Sequence, residues 1–405
     1  MYVPKLVTRA CQTTNTTVPV VSGPDYSIPS SWAQVSVNKS YDELNGIAQK
    51  AIENMKSQFW PDPNNVDFGW GTGTTLSALA YKDMVASTHD NHDFVKSVLA
   101  AAKAHNEHFD PYCYNDDAQW WGTAAMYAYR AYGDQEFLGW ATDVWNWVAP
   151  SQITQDQANA GSTPVRPAPI QGQCNGKSTA GGVFWRSECS ERTDMGANVI
   201  TTGLFETLSA YLAEATGDQK YTDAAKAAYG YITTQLMQDN PNIPTDTLVL
   251  SDCGTNNWIF TYNTGKFVEG AIVLTQVTKD ETYREQALKT IVDAVKNTKN
   301  WQDDSGHITE GQDGDPTQGN DGRQFKAIYV RALTEVSRRE WQNADLHNLL
   351  RTYININYDT AINSDTDGQG NYGVVWKGPY AGPYGSGQMN ILDLLVAGIE
   401  FNWQR

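Results

Sequence analysis

The sequence lacks the features that would send it to a membrane or a nucleic acid. No apolar stretch approaches the roughly 20 residues needed to span a bilayer, and Lys and Arg form no run in a chain of 405 residues with a formal charge of −17. Such a charge repels a phosphate backbone or an anionic lipid surface. No nucleic acid, no membrane span and a neutral or cationic partner are therefore expected. The first residues, Met1 to Lys5, do not form a signal peptide. The six His are scattered without a metal-binding pair, and neither G-x-S-x-G nor a phosphate-binding Gly loop occurs. That leaves no metal and no cofactor expected. Asp313, Asp315, Asn320 and Asp321 gather in one acidic stretch, but it lacks the closing Glu of an EF-hand loop.

Cysteine is scarce and unpaired in sequence. Cys11, Cys113, Cys174, Cys189 and Cys253 show no C-x-x-C spacing, and Asn15 and Asn38 head Asn-x-Ser/Thr sequons. Both features point to an oxidising secretory route, with the signal removed before the first residue and a fungal source favoured. Cys174 with Cys189 would close a small loop, and Cys113 with Cys253 is the second expected pair.

What is abundant is aromatic: 14 Trp and 21 Tyr in a chain that is 40% hydrophobic, enough for a sizeable core. After a polar segment over 1–39, Ser40-Tyr-Asp-Glu43 has the form of a capping box ahead of apolar residues at helical spacing. The same rule predicts twelve helices, near 41–59, 73–87, 93–106, 118–132, 135–148, 196–216, 219–238, 262–278, 281–299, 322–338, 341–357 and 386–402. Gly133-Asp134, Gly217-Asp218 and Lys279-Asp280, each followed by an aromatic three residues after the Asp, mark tight αα-turns. Lys279 stands where Gly is preferred. Short and long connections alternate, so all the long loops share one end of an up-and-down array. Six hairpins closed into an all-α (α/α)6 toroid over 40–405, as a single domain, fit this pattern; an open α-solenoid, whose repeats share a fixed period, is the rival.

Function is expected on the long-loop face. Its aromatics, among them Trp60, Trp70, Tyr114, Trp120, Trp121, Trp185, Trp258, Phe260, Tyr262, Trp301 and Trp376, stand beside Asp, Asn and Gly, a composition suited to stacking on sugar faces and bonding to hydroxyls. The same rings could equally pack the loops down. The sharpest constellation is Tyr114-Asn115-Asp116-Asp117-Ala118-Gln119-Trp120-Trp121, at the start of the fourth helix. Retaining glycosidases use two carboxylates roughly 5–5.5 Å apart, one as nucleophile and one as acid/base. Taken alone, Asp-Asp before a helix more often caps it.

These motifs resemble glycoside hydrolase family 76, of endo-α-1,6-mannanases and fungal cell-wall transglycosidases. The resemblance runs from about Trp60 to about Leu333. It rests on Asp116-Asp117 with Trp120-Trp121, Gly181-Gly182 to Trp185, Asn198 to Phe205, Asp246 to Cys253, Thr261 to Gly265, and Gln324 to Arg331. Ala327 stands where a Gly is usual and Thr264 where a larger polar residue is. The resemblance implies an (α/α)6 fold and a monomer acting on an α-mannan polysaccharide or oligosaccharide, with Asp116 as nucleophile and Asp117 as acid/base. Candidate sugar-binding residues are Trp70, Tyr114, Asn115, Trp120, Gly182, Trp185, Asn198, Asp246, Trp258, Tyr262, Asn263, Asp321 and Trp376. Gln324 and Lys326 are expected to stabilise a helix start. With no hydrophobic anchor signal at Phe401 to Arg405, hydrolysis within the chain is expected ahead of transglycosylation, and retention of both Asp residues argues against a non-catalytic sugar-binding protein.

Overall fold

The structure is a computed structural model that describes residues 23–189, 192–237, 240–296, 298–310 and 321–403. Cys11, Asn15, Asp313, Asp315 and Asn320 lie outside the described residues. Twelve long helices and one short one follow in order: α1(Tyr41–Phe59), α2(Trp70–Ala86), α3(His92–His105), α4(Asn115–Tyr132), α5(Gln135–Val148), the short α6(Gln155–Ala160), α7(Val199–Thr216), α8(Gln219–Tyr231), α9(Thr261–Thr278), α10(Glu281–Lys296), α11(Gly322–Arg339), α12(Ala344–Ser364) and α13(Gly385–Asn402).

Local chemistry sets the hairpins. Ser40 and Glu43 exchange the reciprocal bonds of a capping box at α1. Gly133 (φ 75°), Gly217 (φ 71°) and Lys279 (φ 62°) each end a helix in the left-handed conformation. The following Asp134, Asp218 and Asp280 each accept a backbone N–H two residues on, at 3.0 Å. The turn therefore forms even without Gly at position 279.

Helices α2, α4, α7, α9, α11 and α13 pack side by side, and α13 returns to α2, closing the ring. This is the (α/α)6 toroid, a single domain; closure rules out an open solenoid. The other long helices, α1, α3, α5, α8, α10 and α12, pack outside. Inner helices are buried on nearly every side, so they carry little amphipathic contrast. Their mutual core is partly ionic: Lys266 pairs with Glu269 at 2.6 Å, Arg331 forks onto Asp393 with two 2.8 Å bonds, and Arg339 meets Glu335 at 2.7 Å. Burial of such charges is tolerated because each is paired and further hydrogen-bonded. The segment ahead of α1 runs over the outer layer, where the buried Trp32 stacks on Tyr353 of α12.

All six inner helices start on the long-loop face. That face also carries small strands: β1(Gln173–Cys174) and β2(Lys177–Ser178) form one hairpin, while β3(Gly196–Asn198), β4(Thr247–Val249) and β5(Gly254–Asn256) form an antiparallel sheet in that order. Residues 196–198, expected as helix, are thus strand, paired with β4 through Ala197 and Leu248.

The disulfides correct the expected pairing. Cys113 bonds Cys189, and Cys174 bonds Cys253, each with Cα atoms 5.6 Å apart. Sequence proximity misled because chain pairing decides. Tyr114 and Arg186 form an antiparallel bridge that brings 189 to 113, and the β1 hairpin lies against the turn between β4 and β5, where the Cys253 sulfur stands beside the Gln173 carbonyl.

Candidate active site

The first turn of α4 sits where three supports meet. Asp110, in the preceding loop, accepts the backbone N–H groups of Tyr112 (2.8 Å) and Tyr114 (2.7 Å). The buried Asn115 donates its side-chain amide to the carbonyls of Phe184 (2.8 Å) and Arg186 (3.3 Å), and its backbone N–H to Trp185 O (2.8 Å). The Cys113–Cys189 bridge closes the far end. Together these lock segment 184–187 against the helix start.

Asp116 and Asp117 then occupy the helix's first turn. Asp116 is 8% exposed; its Oδ2 accepts the Trp185 indole N–H at 3.0 Å and its Oδ1 accepts the backbone N–H of Asp117 at 3.1 Å. Burial pushes its carboxyl above the usual range, and the two donated bonds oppose that rise. Asp117 is pushed up further, by burial and then by the charges of Asp116, Asp110 and Asp321, with Arg186 opposing. Protons therefore favour Asp117 and the negative charge favours Asp116. The positive end of the α4 dipole adds to the preference for an anion here.

The pair opens into a cleft of about 710 Å³ lined by Trp70, Tyr114, Trp120, Trp185, Asp194, Asn198, Asp246, Trp258, Phe260, Tyr262, Asp321 and Phe325 among others. Rings form a continuous wall: Trp120 beside Trp70 (5.8 Å between centroids), Trp70 beside Phe325 (6.2 Å), Phe325 stacked on Tyr262 (3.6 Å) and Phe260 edge-on to Trp258 (6.1 Å). Trp258, 66% exposed, stands at the rim. Polar groups face these rings. Asp246 accepts from Asn263 at 3.0 Å and from the Thr247 hydroxyl at 2.9 Å. Asp321 accepts the Trp70 indole N–H at 3.3 Å.

Nine of the expected sugar-binding residues thus line the cleft, and four do not. Asn115 is the clamp just described. Gly182 lies against the Tyr231 ring, where an added Cβ would come within 2.6 Å of ring carbon. Asn263 is fully buried behind Asp246. Trp376 is buried, its indole N–H bonded to Asn390 (2.6 Å) beneath the Lys326 ammonium. Trp60, Trp121 and Trp301 likewise belong to the core. Lys326 itself is buried and donates to the Val374 carbonyl, in keeping with a structural role; burial lowers its pKa to about 7.

Several residues had no separate signal in the sequence. Asp194, Asn256 and Phe325 reach the cleft, Arg186 stacks 3.7 Å over the Tyr114 ring, and the half-buried Glu310 accepts from the backbone N–H of Thr261 at 2.9 Å. Asp110 is the one a reader could have found, as an Asp two residues before an N–H that it caps.

Comparison with known proteins fits this geometry. The sequence model of glycosyl hydrolase family 76 matches residues 169–399. That is more than half of the chain, and the chain belongs to this glycosidase family. The matched span begins after Asp116 and Asp117. Among curated relatives, a mannan endo-1,6-alpha-mannosidase of Candida glabrata is 23% identical over 322 residues, covering 77% of this chain and 65% of the relative. A putative mannan endo-1,6-alpha-mannosidase of Schizosaccharomyces pombe is 23% identical over 247 residues, covering 58% and 51%. The chain thus spans between half and two thirds of these relatives. Among solved structures, an inactive variant of an alpha-1,6-mannanase of Salegentibacter sp. HEL1_6, with two consecutive aspartates changed to asparagine and alpha-1,6-mannotriose bound, aligns with TM-score 0.72 at 19% identity over 88% of this chain and 99% of that one. Dfg5 from Chaetomium thermophilum in complex with glucosamine aligns at TM-score 0.69 and 18% identity, over 91% and 92%. At such identity these likenesses establish the fold.

Proposed function

We propose that this protein is a secreted, retaining glycoside hydrolase that cleaves α-1,6-linked mannan within the chain. The observation that carries the reading is the adjacent carboxylate pair whose surroundings divide ion from acid. In the first step Asp116 attacks the anomeric carbon while Asp117 gives its proton to the departing glycosidic oxygen, so the C–O bond breaks and a mannosyl ester forms. In the second, Asp117 takes a proton from water, which attacks the same carbon and returns Asp116 as carboxylate. Trp70, Trp120, Trp185, Tyr262 and Trp258 offer faces for sugar C–H groups, and Asn198, Asp246 and Asp321 offer polar partners for hydroxyls. The α-1,6-mannan specificity of the relatives, the consecutive aspartates replaced in the inactive mannanase variant and the acidic, lysine-free cleft lining support a neutral mannan as substrate. Two disulfides and the exposed sequon at Asn38, just ahead of α1, agree with an extracellular setting.

The test is the product. Wild-type protein incubated with α-1,6-mannan and followed by proton NMR at early times gives oligosaccharides with the α-anomer first, and D116N and D117N each lose at least about a thousand-fold in kcat. An initial β-anomer, or full activity in either variant, overturns the mechanism. The second reading, transfer to a sugar acceptor in place of water, draws on the exposed Trp258 at the rim, where an acceptor ring has a platform. Products longer than the starting oligosaccharide would identify it.

A further inference from the structure

The acidic cleft has a cation at its edge that meets no acid among the described residues. Arg186 makes no ion pair within 4 Å among the described residues. Its guanidinium lies over the Tyr114 ring, 3.7 Å from the ring centre and 5.3 Å from that of Trp185, and its Nε is buried without an acceptor among the same residues. The head is held there by its backbone. Arg186 bridges Tyr114 across the two chains, and its carbonyl accepts from the Asn115 amide (3.3 Å) and the Arg166 guanidinium (2.6 Å). Arg166 is spent on carbonyls, those of Val165, Arg186 and Asp194, and on the Phe184 ring. The two rings under the Arg186 head are the ones that flank the carboxylate pair: Tyr114 precedes α4, and Trp185 donates to Asp116.

We propose that Arg186 is a positioning residue for the reaction: a stacked, unpaired guanidinium that keeps the Asp117 proton transferable. This rests on Asp117 being the acid/base. The groups that face Asp117 are otherwise negative or neutral. Asp116 is on its own helix, Asp110 in the preceding loop and Asp321 at the start of α11, and Asp194, Tyr114 and Tyr262 line the same cleft, the two tyrosines uncharged. Lys266, deeper on α9, is consumed by Glu269. An acid that binds its proton too firmly protonates a leaving group poorly, and an opposite charge nearby corrects this. A ring-stacked Arg supplies that charge without forming the salt bridge that would fix either carboxylate as an ion.

The experiment compares kcat/KM against pH for wild type, R186Q and R186K on α-1,6-mannotetraose. In R186Q the basic limb, which reports loss of the acid's proton, moves up by about one pH unit, with kcat at the optimum down about ten-fold. R186K, which keeps the charge, returns most of the shift. A lower rate with the limb unmoved, or an R186K limb displaced as far as that of R186Q, overturns the proposal and leaves Arg186 a packing residue. A raised KM with the limb fixed also overturns it, in favour of substrate contact. Should R186Q fail to fold, R186M keeps the aliphatic stem over Tyr114 and serves in the same comparison. The D117N profile separates the two levels of inference: a basic limb that survives there removes the acid/base reading itself, whereas a limb that belongs to Asp117 yet ignores Arg186 removes only the present proposal.

Discussion

Replacing Trp185 by Phe removes one hydrogen bond from Asp116 and little else. The indole N–H meets Asp116 Oδ2 at 3.0 Å, while the ring lies 4.8 Å from that of Tyr114, a contact Phe can keep. A hydrogen bond to a charged acceptor contributes about 1.5–3 kcal/mol. At about 1.4 kcal/mol per pKa unit, its loss raises the Asp116 carboxyl by roughly 1–2 units. Burial already holds that carboxyl above the ordinary range, and Trp185 is the first of the groups opposing the rise. In the proposed mechanism Asp116 is the nucleophile and must be ionised, so the acidic limb of kcat/KM moves to higher pH by about 1–2 units. The basic limb moves less, because the two carboxyls titrate as a pair. The assay is initial-rate cleavage of an α-1,6-manno-oligosaccharide across the pH range with W185F and wild type. A fall in rate without displacement of the acidic limb refutes the reasoning and leaves Trp185 as a sugar platform alone.

Two further outcomes follow from the same geometry. N115A strips the Phe184 carbonyl of a buried donor, while the Arg186 carbonyl keeps the Arg166 guanidinium; at about 1–3 kcal/mol for a group left unsatisfied it lowers stability by roughly 1–3 kcal/mol, read as a reduced urea midpoint at unchanged m-value. D117N is expected to stabilise. The Asp117 carboxyl is raised above its unfolded value, so its contribution to stability is full below the unfolded pKa and is lost as pH rises through the folded one. An amide escapes that loss, so the thermal midpoint of D117N exceeds wild type by a few degrees at pH 8 and matches it at pH 4. Equal midpoints at both pH values would show that Asp117 is not held above its unfolded pKa.

The toroid was legible because its connections are governed locally. A Gly or Lys in the left-handed conformation, an Asp cap and an aromatic packing back are all within six residues, and the predicted ends of α4, α7 and α9 fall where those signals stand. The starts of the inner helices were less legible. Gly69, Tyr114, Phe260 and Tyr384 precede helices with no side-chain cap, so expected starts at 73 and 118 fell three residues late. The three-residue strands around the cleft are too short to show alternation, and the disulfides follow the pairing of those loops rather than sequence distance.

The candidate site was legible in its residues and not in their facing. On an α-helix successive residues point about 100° apart, and Tyr114, Asn115, Asp116 and Asp117 divide accordingly. Asn115 turns to the 184–186 segment, Asp116 to the Trp185 indole and Asp117 to the cleft with Asp321 and Arg186 as its electrostatic neighbours. A sequence with polar residues at all these places cannot say which are clamp and which are site. The structure also answers the objection that an Asp pair at a helix start is ordinarily a cap. Asp110 takes the backbone N–H groups of Tyr112 and Tyr114, and Asn115 ties the turn to its neighbour, so helix entry is secured without the carboxylate of Asp117. Asp116 keeps one such bond, to the N–H of Asp117, and with the indole it has two donors, against none for its neighbour among the described residues. Adjacent on the chain but about 100° apart around the helix, two identical side chains thus acquire different proton affinities, which is the asymmetry that the proposed double displacement requires.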